Sequence, residues 1–76
     1  MVEIKRDYDL KDLEKLGFKE DKRPNVLYSL RDELFGDVVV VWKDRTVSFY
    51  DFSDGIRWRM MAENILKIKE GEEWWD

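Results

Sequence analysis

Carboxylates are the groups through which this 76-residue chain could do chemistry. It carries eighteen Asp and Glu side chains but no histidine and no cysteine. Asp51 and Asp54 flank one polar turn, and Asp32, Glu33 and Asp37 flank another. Paired acids can exchange protons with a substrate or hold Mg²⁺ or Ca²⁺. Turns also collect Asp for a simpler reason, since its side chain accepts local backbone N–H groups. The stretch DFSDG (51–55) lacks the alternating acids and the distal Glu of a calcium loop. Turn and solvent roles are therefore the reading for these acids. The absence of His and Cys removes zinc knuckles, thiol nucleophiles, Ser-His triads and histidine-ligated haem from this chain. Ser29, Ser48 and Ser53 have no histidine to activate them. The four glycines are isolated, so none builds a phosphate cradle. The expectation is a non-enzyme with no catalytic residue, no metal site and no cofactor.

Binding is the remaining class of chemistry, and it points to aromatic and basic residues. IRWRM (56–60) interleaves Arg57 and Arg59 with Trp58. On a strand the two arginines share one face and Trp58 takes the other. That separates a stacking ring from phosphate contacts and argues against direct nucleic-acid binding. The expected arrangement buries Trp58 in the core and pairs the arginines with acids or with a partner. Trp74 and Trp75 stand in a terminal KEGEEWWD segment. They could dock on the chain's own core, bind a partner or a second copy, or stay frayed. Ordering each tail residue costs about 1–2 kcal/mol, so one buried Trp, at about 2–4 kcal/mol, cannot clearly hold the tail down.

Short elements must position these residues. In YDLKDLEKLGF (8–18), Asp9 is an N-cap, and Leu10, Leu13 and Leu16 form one stripe. Gly17 is a left-handed stop that brings Phe18 back towards Leu13. This predicts a helix over about 9–17. KEDKR (19–23) reads as a solvated connector. VLYSLRDELFGD (26–37) alternates like a strand and also fits a helix through Leu27, Leu30 and Leu34. Its Val and Tyr content favours a strand over about 26–31. DVVVVWKDRTVSFYDF (37–52) predicts a hairpin with strands over about 37–43 and 46–52. Asp54-Gly55 is common hairpin-turn chemistry, and the alternation of Ile56, Trp58 and Met60 predicts a strand over about 56–60. Met61, Ala62, Ile65 and Ile68 predict a closing helix over about 61–70, before an acidic Trp tail at 71–76. The fold expected is one small α+β domain (1–76), an antiparallel three- to four-stranded meander with an N-terminal and a C-terminal helix on one face.

A hydrophobic fraction of 43% and a net charge of −4 suit a folded, acidic domain that anionic partners would not attract. The longest apolar run, VVVVW (38–42), is too short to span a bilayer, and MVEIKRDYDL has no apolar leader stretch. A cytoplasmic protein that avoids membranes is expected. A regular strand over 38–42 would be apolar on both faces, as in a strand covered on both sides. Val39 and Val41 would then present a face that needs a cover.

The layout of DLKDLEKLGF, a Val-rich hairpin and a closing amphipathic helix resembles a loose class of small αβββα proteins encoded by Gram-positive bacteria and their phages. The resemblance implies an α+β fold and carries no functional residue. The functional expectation is a small interaction or regulatory module that binds another protein or forms a homodimer. Its candidate contacts are Trp74, Trp75, Val39, Val41, Arg57 and Arg59. An acidic inhibitor that imitates nucleic acid, through Glu70, Glu72, Glu73 and Asp76, is the alternative. A carboxylate-based metal-dependent enzyme is a third reading that no motif supports.

Overall fold

The computed structural model describes residues 2–68, and the terminal Trp74–Trp75 pair lies outside them. The chain is α+β. Among the described residues it forms a six-stranded antiparallel sheet and two helices. The strands are β1 (Val2–Ile4), β2 (Lys19–Glu20), β3 (Val26–Asp32), β4 (Gly36–Trp42), β5 (Thr46–Phe49) and β6 (Leu66–Ile68). Their order across the sheet is β2-β3-β4-β5-β1-β6. A 3₁₀ helix (Leu10–Leu16) follows β1, and helix α1 (Asp54–Ala62) precedes β6.

The first helix ends as its sequence dictates. The Asp9 carboxylate accepts the Lys11 N–H at 3.0 Å, so one of the orphan donors of the first turn is satisfied. Gly17 takes φ 97°. The Phe18 N–H then donates to the Leu13 carbonyl and the Gly17 N–H to Glu14, which is a Schellman closure. Leu13 and Phe18 are both buried.

The central meander is β2 to β5. Its register sets Tyr28, Val41 and Val47 side by side, and Leu30, Val39 and Phe49 beside them. Because side chains alternate across a strand, Ser29, Val40 and Ser48 occupy the opposite face. Irregularities in register fall between Val26 and Tyr28 and between Leu30 and Arg31, bulges that add twist to the sheet. Val38, Val39, Val40 and Val41 are all buried, so β4 is shielded on both sides. The Trp42 indole N–H donates to Ser48 Oγ at 2.9 Å on the Ser29–Val40–Ser48 side.

The second half departs from expectation. Residues 56–60 are not a strand, because they lie within α1. Ile56 and Met60 do face inward together, but through helical i, i+4 spacing and not through a pleat. Met60 is fully buried, and Trp58, expected in the core, is 60% exposed. The helix expected over 61–70 is likewise absent, since α1 stops at Ala62 and residues 66–68 form β6. Asn64 is the stop, at φ 60°. The Ile65 N–H donates to the Met60 carbonyl and the Asn64 N–H to Met61, repeating the closure seen at Gly17. Both Met60 and Ile65 are buried, which supplies the apolar contact typical of that closure.

Three strands, β1, β2 and β6, were not anticipated. β1 inserts between β5 and β6, with Val2 opposite both Val47 and Ile68. Arg45 fastens the segment that follows β1. Its guanidinium Nη2 donates to the Lys5 and Tyr8 carbonyls, both at 2.7 Å. One core results, joining Val2, Ile4, Leu13, Phe18, Tyr28, Val39, Val41, Val47, Met60, Ile65 and Leu66. No helix among the described residues is long and apolar enough to cross a membrane.

Candidate functional site

An aromatic surface is built where the β3–β4 turn meets the connection from β5 to α1. The turn is set locally. Asp32 Oδ1 accepts the Leu34 and Phe35 N–H groups at 2.7 and 3.2 Å, and Gly36 leaves the turn at φ 77°, a value that glycine reaches without a Cβ clash. This geometry turns Leu34 and Phe35 outward, 87% and 59% exposed. On the facing connection Phe52 is 72% exposed. Its ring stacks on Phe35, with centroids 4.3 Å apart and planes 29° from parallel.

Phe52 adopts φ 67°. A bulky side chain in the left-handed region carries strain of about 1–2 kcal/mol. The pair contributes about 0.5–1.5 kcal/mol beyond its buried area, which is no more than enough to offset that strain. Next in the chain, the Ser53 hydroxyl is buried without a hydrogen-bond partner among the described residues. Ser53 stands at the N-cap of α1 and makes no capping bond.

A cleft of about 650 Å³ opens beside the ring pair. Its walls include Phe49, Tyr50, Asp37, Asp51, Asp54 and Arg57. The Arg57 guanidinium carbon lies 4.9 Å from the Phe49 ring centroid, within cation–π range. The site therefore already holds one guanidinium against an aromatic face.

A charged network borders the cleft through Asp37. Arg23 donates to both Asp37 oxygens at 2.9 and 3.0 Å and to both Asp21 oxygens at 2.7 to 3.0 Å. The Ser29 hydroxyl donates to Asp21 at 2.7 Å, and Arg31 approaches Asp37 at 3.2 Å. The Arg23 guanidinium, the Arg23 backbone N–H and Ser29 together hold the Asp21 carboxyl well below the usual aspartate range. Arg23 does the same to Asp37, and the two carboxylates push the Arg23 guanidinium up in turn. Carboxylates held so firmly ionised are poor proton donors near neutral pH. This network fastens the connector before β3 to β4, so KEDKR is not merely a solvated loop.

The sequence-derived candidates distribute unevenly. Arg57 lines the cleft. Arg59 sits on the same helix but bonds Glu63 at 2.9 Å along its exposed surface. Val39 and Val41 are 0% exposed and cannot meet a partner. Their cover is the chain's own core, where Leu13, Phe18, Met60 and Ile65 cluster with them, and no second molecule is needed to shield them. Trp74 and Trp75 fall outside the described residues. Asp51 and Asp54, read from sequence as turn acids, reach the cleft walls. Phe35 and Phe52 were missed, Phe52 because the strand expected over 46–52 ends at Phe49 and leaves it in the connection that follows. Among the described residues no three acids are grouped to hold a metal ion. Comparison with family models, curated proteins and solved structures gives no match.

Proposed function

We propose that this chain is a small protein-interaction module and that Leu34, Phe35, Tyr50 and Phe52 form its contact surface. The observation that carries this reading is the Phe35–Phe52 ring pair, stacked yet largely in solvent. A fold selected for stability alone gains little from a strained, exposed Phe52. Backbone strain of this kind concentrates at working sites. Clustered exposed aromatics are also the usual mark of an interface, where rigid rings bury large area at low entropic cost. Of the sequence-derived candidate contacts, Arg57 belongs to this surface, whereas Val39 and Val41 do not.

Affinity capture tests the reading. Wild-type protein and a Phe35→Ala/Phe52→Gly variant are used as paired baits, with circular dichroism to establish that both are folded. Loss of specific captured proteins from the variant is the expected result. Identical captured sets from the two baits would end the proposal. A parallel Trp74→Ala/Trp75→Ala bait reports whether the terminal pair belongs to the same surface.

A further inference from the structure

We infer that the occupant of the aromatic cleft is an arginine-bearing segment of a partner protein. The inference rests on the interaction reading above and deepens it. Charge complementarity carries it. Three carboxylates, Asp37, Asp51 and Asp54, line the cleft against one guanidinium, that of Arg57. Asp37 is already engaged by Arg23 and Arg31. Asp51 and Asp54 make no ion pair among the described residues and stand exposed, so the unneutralised charge at the mouth is negative. The whole chain adds a net charge of −4, which favours the approach of a cation at low salt.

Aromatic geometry selects the kind of cation. Phe35 and Phe52 stack on each other with one ring face each, and their exposure leaves the remaining surface open to solvent. A ring face carries partial negative charge and attracts cations. A planar guanidinium can lie flat on such a ring and still point N–H groups at a carboxylate, which a compact ammonium does less well. The protein makes that arrangement internally, with Arg57 over Phe49 on the same cleft. An incoming arginine would repeat it over Phe52, with Asp51 or Asp54 as the carboxylate partner.

Nuclear magnetic resonance titration of the full chain tests this with three capped peptides: (Arg-Gly)₄, (Gln-Gly)₄ and (Leu-Gly)₄. The arginine peptide is expected to give saturable shifts in the amides of residues 34–37 and 49–57, and the glutamine peptide none. An Asp51→Asn/Asp54→Asn variant should bind it about fivefold more weakly, the scale of two partly exposed ion pairs. Phe52→Gly should weaken it about tenfold through loss of the ring. The wild-type affinity should fall as salt rises. Absence of saturation, equal binding of the glutamine peptide or tighter binding of the leucine peptide would overturn the inference. So would self-association of the chain alone that Phe52→Gly abolishes, because a second copy would then be the occupant. If the paired baits still differ while the arginine peptide fails, the interaction surface stands and only its cationic partner is wrong.

Discussion

Phe52 combines two properties that a residue selected for folding would not keep together, a left-handed backbone and a solvated ring. Phe52→Gly separates them. The substitution relieves strain of about 1–2 kcal/mol, adds about 0.5–1 kcal/mol of glycine entropy cost and removes a stacking term of about 0.5–1.5 kcal/mol. Chemical denaturation should find it within about 1 kcal/mol of wild type, while Phe35→Ala, which relieves nothing, loses stability. Ser53 offers a second residue-scale test. Its hydroxyl is buried without a partner among the described residues, and the N-cap it occupies makes no side-chain bond there. Ser53→Ala should therefore be neutral or stabilise by up to about 1 kcal/mol, opposite in sign to the usual loss of about 1 kcal/mol at an N-cap, and thermal melting decides between them.

Both helices end on a left-handed residue, and only one of these ends was legible. Gly17 announced itself because glycine has no Cβ to clash at φ 97°. Asn64 does the same work at φ 60°, but asparagine takes that conformation less routinely than glycine, so the helix was expected to run on to about residue 70. Gly17→Ala should cost about 1–2 kcal/mol from the conformation alone, and its new Cβ would also meet Leu30 Cδ1 at 3.4 Å; urea unfolding measures the loss. The Val-rich hairpin was readable from its β-branched run. The Ile56–Met60 segment was not, because Ile56 and Met60 fit period 2 and period 3.6 equally well, and Asp54-Gly55 resembles a hairpin turn. Trp58 on the outer face of α1 completed the misreading, since an apolar residue midway between Ile56 and Met60 gives the segment the alternation of a strand. β1 and β6 are three residues each, too short for any period to register. The ring pair was illegible for another reason. Phe35 and Phe52 lie 17 positions apart and meet only once the sheet exists, whereas the acids and Arg57 around them could be picked out by type.

At the scale of the molecule, the Asp21–Arg23–Asp37 network contributes to the acid response. Both carboxyls are held below their ordinary range when folded. A depressed folded pKa means the stabilisation is complete above the unfolded aspartate value of about 3.9 and is lost as pH falls through the lower folded values. Stability should be flat between about pH 5 and 7 with respect to this network, then decline below about pH 4. Arg23→Gln should lower the melting temperature at pH 6 and flatten the acid decline, as followed by circular dichroism melts. The sheet order makes a second whole-molecule demand. β1 bridges β5 and β6, so deleting residues 1–4 should strand β6, uncover Val47 and abolish cooperative unfolding in calorimetry. The same insertion constrains how the polypeptide matures. During synthesis, Val2–Ile4 is made well before Leu66–Ile68, one of its two neighbours in the sheet. A nascent chain must therefore hold β1 with one edge unpaired until the segment between Ile4 and Leu66 has been made, an interval in which chaperones and proteases compete for it.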